Sequence, residues 1–142
     1  MAYTTIKKPS EHFNTKLYTG NSSTNAITGV GFQPDWTWIK NRSQANSTHR
    51  LTDAVRGVTK EIYSDLTAAE GTTTDGLTAF GSDGFTVGSN GDYNGNGNNI
   101  VSWNWKANGA GSANTDGDIA STVSVNTTSG FSIVSYTGNG SA

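Results

Sequence analysis

Apolar and polar residues alternate in short runs along most of the chain, and this period of two predicts β-strands. Two of the runs contain all four tryptophans. In one predicted strand Trp36 and Trp38 share a face, and in another Trp103 and Trp105 share a face. We favour the interpretation that the two strands face each other and bury their indole rings in one core, because tryptophan buries a large apolar area. The alternative is an exposed aromatic platform for sugar rings.

The same alternation predicts about ten short strands with turns every 8–12 residues. They cover residues 16–19, 25–28, 36–40, 49–53, 59–64, 77–80, 84–88, 100–106, 119–126 and 131–136. Single helical turns are predicted near residues 9–13 and 66–70, and loops of small residues over 89–99 and 107–118. In the run 59–64 the charged residues are expected to point outward, as on an edge strand. The pattern predicts an all-β fold, an antiparallel β-sandwich of the jelly-roll type.

The chain is expected to form one sandwich domain over residues 16–142, preceded by an N-terminal arm over residues 1–15. The arm carries Tyr3, Ile6 and Phe13 among polar residues and lies outside the clear strand pattern. Residues 135–141 echo residues 17–23, and both copies contain Tyr-Thr-Gly-Asn. We interpret the second copy as the start of a further repeat in a longer protein. Reuse of one turn sequence is the alternative.

Composition and charge exclude several classes of function. The chain has 142 residues and a formal net charge of -2, without a basic patch for phosphates, so we expect no nucleic-acid partner. It has no cysteine, and hence neither disulfides nor thiolate metal ligands. No apolar run approaches the roughly 18 residues of a membrane span, so we expect no membrane insertion. Residues 1–5 lack the plan of a signal peptide, which predicts synthesis and assembly in a cytoplasm.

One loop carries part of a calcium-binding motif. Residues 92–97 have the sequence Asp-Tyr-Asn-Gly-Asn-Gly, but the twelfth position, where such a loop usually has a bidentate glutamate, is Trp103. Asp116 and Asp118 form a second small acidic site. We interpret both as turns and predict no metal and no cofactor. The other acidic residues are scattered and no paired-carboxylate, nucleophile-elbow or zinc motif is present, so we predict no catalytic residues and no enzymatic activity.

Six longer motifs span nearly the whole chain. They are KLYTGN (16–21), QPDWTWIKNRS (33–43), DAVRGVTK (53–60), SDGFTVG (82–88), VSWNWKA (101–107) and FSIVSYTG (131–138). Together they resemble a domain found in virion structural proteins of marine bacteriophages, often in chains described as tail fibres. The resemblance implies a concanavalin A-like β-sandwich and supplies no catalytic residues.

The resemblance also implies a function. The chain is expected to be a structural component of a phage particle, in a tail fibre, an adhesin or the capsid surface, and to act in attachment. Its location would be the virion, assembled in the host cytoplasm. Other virion proteins would be its partners, with a host-surface glycan as a further candidate. The alternative function is a free carbohydrate-binding, lectin-like module.

We also expect a homo-oligomer, with a trimer favoured. Leu, Ile, Val and Phe together are fewer than one residue in five, so a monomer buries little apolar surface and association would add more. The arm at residues 1–15 is expected to dock on a neighbouring subunit or on the particle, with folding back on its own domain as the alternative. Trimers are also what the resemblance to phage fibre and capsid-surface proteins implies.

Overall fold

The structure is a computed structural model and describes residues 6–141, so Tyr3 of the predicted arm lies outside the described residues. A 3-10 turn (Pro9–Glu11) precedes the strands, and a single helical turn, α1 (Gly91–Asn94), interrupts them. The strands are β1 (Phe13–Thr19), β2 (Asn25–Thr28), β3 (Trp36–Asn41), β4 (Arg50–Asp53), β5 (Lys60–Tyr63), β6 (Gly71–Thr72), β7 (Leu77–Gly81), β8 (Gly84–Val87), β9 (Asn99–Trp105), β10 (Ser112–Asn114), β11 (Ser121–Asn126) and β12 (Phe131–Tyr136).

The largest sheet has six strands in the order β1-β9-β3-β4-β5-β6, and all neighbours are antiparallel. In its centre, β3 pairs with β9 so that Trp36 lies opposite Trp105 and Trp38 opposite Trp103. The two tryptophan strands are therefore neighbours in one sheet. The expectation that they face each other across a core is wrong.

A three-stranded sheet, β2-β8-β7, packs on the inner face of the large sheet. Ile39 of β3 and Ile100 of β9 meet Phe85 of β8 there, and the exposed fraction of both isoleucines is zero. The full core cluster is Ile27, Ile39, Leu77, Phe85, Val87, Tyr93 and Ile100. The prediction of an all-β antiparallel sandwich is confirmed.

The third sheet, β10-β11-β12, lies against the opposite, outer face of the large sheet. The ring of Phe131 in β12 has its centroid 6.2 Å from the rings of both Trp36 and Trp105. Strand alternation then turns Val134 and Tyr136 to the other side of β12, where they are 52% and 65% exposed. This sheet therefore covers part of the outer face and presents apolar side chains of its own to solvent.

The β7–β8 hairpin is tied to the strand next to it by backbone contacts. Gly84 has φ +152°, and a Cβ at this position would lie 1.9 Å from the carbonyl oxygen of Ile27. In the turn, the carboxylate of Asp83 accepts hydrogen bonds from the backbone N–H groups of Gly29 (2.9 Å) and Gly31 (2.7 Å). These two bonds lower the pKa of Asp83. Glycine at position 84 lets β2 approach the hairpin closely.

Several elements differ from the sequence prediction. Strand β1 begins at Phe13, so residues 13–15 belong to the sheet and not to an arm. Residues 66–70 form no helical turn. The helical turn lies in the predicted loop 89–99 instead, because the side chain of Asn90 caps it by accepting a hydrogen bond from the N–H of Asp92. The predicted loop 107–118 contains the short strand β10, which pairs with β11.

We expect the fold to lose stability in alkali, because one buried tyrosine, Tyr93, and one partly buried tyrosine, Tyr18, have hydrogen-bonded phenol groups in the folded chain. The hydroxyl of Tyr18 donates to the carbonyl oxygen of Tyr93 (2.7 Å), and the hydroxyl of Tyr93 donates to Glu61 (2.6 Å). Burial raises the pKa of both phenols far above the value near 10 of a free tyrosine. Above pH ~10 the unfolded chain releases protons that the folded chain keeps, so the free energy of unfolding falls as the pH rises.

Urea denaturation at pH 8 and pH 11 measures this effect. The variant Tyr18→Phe lacks one of the two phenol groups with a raised pKa and should lose less stability over that range than the wild type. Equal stability of the wild type at both pH values would contradict the expectation.

Candidate binding surface

The outer face of the six-stranded sheet, which points away from the core cluster, carries the tryptophans. On β3, Thr37 and Ile39 are fully buried whereas Trp36 and Trp38 are half-buried. The two tryptophans of β9 are also half-buried, and Phe13 of β1, beside them, is 39% exposed. We call these outward residues the aromatic face: Phe13, Trp36, Trp38, Trp103 and Trp105. None of them belongs to the core cluster, so the expectation that the indoles form the core is wrong.

The rings of the aromatic face contact one another at an angle. The centroid distances are 4.5 Å for Trp36–Trp105, 4.7 Å for Phe13–Trp105, 5.7 Å for Trp38–Trp103 and 6.4 Å for Trp36–Trp38. All four lie within or close to the range in which aromatic pairs stabilise each other, and the rings of each pair are tilted by 54° to 60°. The surface is therefore ridged and fixed in shape, and it is not one flat platform.

A hydrogen bond fixes the orientation of Trp38. Its indole N–H donates to Nδ1 of His49 over 2.7 Å, and the imidazole lies edge-on to the indole at 5.6 Å. The backbone N–H of His49 donates in turn to the carboxylate of Asp65 (3.1 Å). Residues just before β4 and just after β5 thus position one ring of the aromatic face, a role that the sequence pattern did not predict.

Two of the cavities on the aromatic face share Phe13 and Trp105 in their linings. The smaller has a volume of about 160 Å³ and is lined by Phe13, Trp38, Trp103 and Trp105; we call it the aromatic cavity. The larger, of about 430 Å³, extends from the 3-10 turn to Phe131 of β12. The face therefore offers recesses that a ligand could fill, and the lining of the smaller one contains no carboxylate.

One of the buried acidic residues, Glu61, lies on the inner face, away from the aromatic face. The side chain of Glu61 is 2% exposed and forms an ion pair with Arg50. It also accepts hydrogen bonds from Tyr93 (2.6 Å), Thr73 (2.7 Å) and Tyr63 (2.8 Å). The expectation that the charges of residues 59–64 point outward is thus wrong for Glu61. A buried carboxylate with four partners is satisfied and positions its neighbours.

Arg50 links this buried group to the helical turn. Its guanidinium pairs with Glu61 on one side and with Asp92 on the other. Burial alone would lower the pKa of Arg50, but the hydrogen bond to Asp92 and the charge of Glu61 outweigh burial and raise it. Tyr63 stacks its ring against the guanidinium at 4.9 Å. These residues come from distant parts of the sequence, so no local motif revealed the network.

In the structure, side chains of the partial calcium motif form hydrogen bonds and an ion pair with other protein groups. The carboxylate of Asp92 accepts a hydrogen bond from Ser47 (2.7 Å) besides pairing with Arg50. Asn94 is fully buried and its amide donates to the carbonyl oxygen of Gly88 (2.7 Å). Asp116 accepts from the side chain of Asn114, two residues before it. Within residues 6–141, no group of three or more His, Asp or Glu side chains is placed to hold a metal ion.

We therefore expect a chelator to leave the melting temperature unchanged. Because Asp92 pairs with Arg50, a cation at this site would have to displace a guanidinium. Thermal melts with excess EDTA and then with added calcium measure the effect. A drop in melting temperature that calcium restores would contradict it.

The comparisons with known proteins identify a family. A family model described as a domain of unknown function, DUF7483, matches residues 8–142. The chain belongs to this family. No curated protein and no solved structure matches it. In the described part of the DUF7483 domain, the helical segments are too short and too polar to cross a bilayer.

Proposed function

We propose that this DUF7483 domain is a non-enzymatic attachment module of a bacteriophage particle, in a tail fibre, an adhesin or the capsid surface. The observation that supports attachment is the aromatic face, a fixed cluster of five half-buried or exposed aromatic side chains outside the core. The phage context and the location on the virion rest on the motif resemblance alone.

An aromatic cluster of this kind suits a binding surface. Tryptophan is enriched among the residues that dominate interface energies, and contiguous exposed apolar patches mark interaction sites. The apolar surface also continues beyond the aromatic face. Leu17 of β1 is 60% exposed, and Ile62 of β5, paired with Leu51, is 39% exposed. A partner that covers this surface would remove a large apolar area from water.

The carboxylates near the aromatic face support a non-enzymatic role. Asp53 lies opposite Trp36 in the sheet register. Its side chain is bound by Arg56 (2.6 Å) and by the backbone N–H of Val55 (3.0 Å). Arg56 also pairs with Glu70 (3.1 Å). A glycosidase needs two carboxyl groups facing the scissile bond, whereas Asp53 and Glu70 are both engaged by the same arginine.

The test is binding of the purified domain to cells of the bacterium that the particle infects. The double variant Trp38→Leu, Trp103→Leu should bind more than tenfold more weakly, because truncation of central aromatic anchors costs at least ~2 kcal/mol. No oligosaccharide should be released from the envelope. Binding by the double variant at the wild-type level, with its fold intact, would contradict the attachment role of the aromatic face. Oligosaccharide release that is lost on changing one Asp or Glu would contradict the non-enzymatic role.

The second candidate function is carbohydrate binding, and a specific observation favours it. Among the described residues, the indole N–H groups of Trp36, Trp103 and Trp105 have no hydrogen-bond acceptor. Sugar hydroxyls would supply such acceptors while the ring faces contact the C–H groups of the pyranose. Soluble oligosaccharides of the host envelope that compete with cell binding would favour this function over a protein receptor.

We further propose that the domain acts as a homo-oligomer with other virion proteins as neighbours, with a trimer as the favoured state. Support comes from the exposed apolar residues of the third sheet, Val125, Val134 and Tyr136, which association would cover.

Mass measurement in solution and on the particle tests the oligomeric state of the 14.9 kDa chain. The variant Val134→Lys should weaken association, whereas deletion of residues 1–8, which spares β1, tests the arm separately. A monomer in both settings would contradict the proposal.

A further inference from the structure

The aromatic cavity is small and its lining is uniform. Its four lining residues, Phe13, Trp38, Trp103 and Trp105, are all aromatic, and its volume is about 160 Å³. Pockets that enclose drug-sized ligands measure ~300–1,000 Å³. The ring centroids are 4.7 Å apart for Phe13–Trp105 and 5.7 Å apart for Trp38–Trp103. The cavity therefore suits one small group that contacts several rings at once.

The tilt between the rings determines which shape of group fits the cavity. The planes of Phe13 and Trp105 meet at 54°, and those of Trp38 and Trp103 at 60°. The broad C–H face of a pyranose chair stacks best on a flat aromatic surface, which these tilted rings do not form together. A compact, rounded group can instead contact the faces and edges of rings on different sides. The geometry favours such a group inside the cavity, even where the wider face binds a larger ligand.

The aromatic lining of the cavity favours a positively charged group over a negatively charged one. Aromatic ring faces are negative, so they repel a carboxylate or phosphate and attract a cation within ~6 Å. The lining contains no carboxylate or amide to accept hydrogen bonds, so a primary ammonium or a guanidinium would lose acceptors for its N–H groups. A quaternary ammonium has no N–H group and needs no acceptor. Lys40 also lies on this face of β3, but its ammonium group donates a hydrogen bond to the carbonyl oxygen of Ser47, and neither residue lines the cavity.

The rings are held in place without a ligand. Trp38 is fixed by its hydrogen bond to His49 (2.7 Å), and Trp105 is packed between Phe13, Trp36 and Phe131. Fixed side chains lose little conformational freedom when a ligand binds, which favours binding of even a small group. The net charge of -2 adds a weak attraction for cations.

We propose that the aromatic cavity binds a trimethylammonium group, as carried by choline, by phosphocholine on a glycan and by choline lipids. The inference rests on the proposed attachment role of the aromatic face and names the chemical class that part of this face recognises. The bound group would contribute one anchoring contact, with the remainder of its carrier lying over the wider face.

The experiment titrates the full chain with tetramethylammonium chloride and with choline at constant ionic strength, and follows tryptophan fluorescence and the indole N–H signals by NMR. We expect saturable binding of both cations. Neohexyl alcohol, the neutral carbon isostere of choline, should bind about tenfold more weakly, because it lacks the cation–π attraction. The variant Trp103→Leu should abolish the response. The variant Tyr136→Leu, which changes an exposed ring on the side of β12 that points away from the aromatic face, should keep it.

Titration with phosphocholine, and with vesicles of phosphatidylcholine against vesicles of phosphatidylglycerol, identifies the carrier. Preference for phosphatidylcholine vesicles points to a lipid headgroup, and binding of phosphocholine without vesicle binding points to a soluble or glycan-borne group. A response that does not saturate, equal affinity for neohexyl alcohol, or equal loss in both variants would overturn the proposal. If choline fails to bind while Trp103→Leu still reduces attachment to cells, the inference is wrong and the attachment role stands. If Trp103→Leu leaves attachment unchanged, the attachment role of the aromatic face is wrong as well.

Discussion

Replacement of Glu61 by alanine is expected to lower the free energy of unfolding by roughly 3–5 kcal/mol, the usual cost of breaking a buried ion pair from one side. The change leaves Arg50, whose side chain is 14% exposed, without its buried partner. It also removes the acceptor of the hydroxyl groups of Tyr63, Thr73 and Tyr93. Because a domain of this size has a total stability of about 5–15 kcal/mol, this single change can unfold the protein.

The matched control is Glu70→Ala. Glu70 also pairs with an arginine, Arg56, but its side chain is 40% exposed, so its loss should cost about 0–1 kcal/mol. Urea denaturation followed by far-UV circular dichroism measures both changes. If Glu61→Ala does not fold, Glu61→Gln, which keeps the shape and one acceptor oxygen, should fold with reduced stability. A cost for Glu61→Ala no larger than for Glu70→Ala would contradict the structural role of the buried network.

Substitutions at two residues of β9, on opposite faces of the sheet, are expected to have different effects: one mainly lowers stability and the other mainly lowers binding to cells. The variant Ile100→Ala removes a fully buried core side chain and should cost about 2–5 kcal/mol of stability. It should leave binding to host cells unchanged wherever the protein is folded. The variant Trp103→Ala removes a half-buried ring from the aromatic face and should cost less than the roughly 3–5 kcal/mol of a fully buried tryptophan, because part of the ring is already in contact with water. It should greatly weaken binding to cells.

Chemical denaturation and cell-binding isotherms of the two variants measure this pair of effects. Ile100→Val serves as a mild control for the inner face, with an expected cost of roughly 0.5–1.5 kcal/mol. If Trp103→Ala proves as destabilising as Ile100→Ala and leaves binding unchanged, the indoles act as a core. The first interpretation of the sequence would then be right in substance.

Much of the strand pattern could be predicted from the sequence because it is local. The alternation in 36–40, 84–88, 100–106 and 131–136 places strands close to their observed bounds, and the Gly-Ser-Asp sequence before Gly84 marks the β7–β8 hairpin. The shared face of each tryptophan pair was also correctly predicted. Alternation with a period of two determines which residues share a face, but it does not determine which face is covered.

The core side of the large sheet was harder to predict because it mixes apolar and polar residues. On β3 the buried positions are Thr37, Ile39 and Asn41, whereas the outward ones include two tryptophans. Burial ranked by hydrophobicity therefore selects the wrong face. The network around Glu61 was missed for a related reason: its partners lie 2 to 32 positions away along the chain. Such long-range pairings depend on sheet order, which no local pattern gives.

Hydroxyl-radical footprinting with mass spectrometry tests most directly whether the tryptophans lie at a surface that binds a partner. In the free chain, Trp38 and Trp103 should be oxidised much faster than the buried Tyr93 and Phe85. On binding to host cells, the same two tryptophans should become protected. Oxidation of Trp38 and Trp103 in the free chain as slow as that of Tyr93, or equal oxidation with and without cells, would contradict the account.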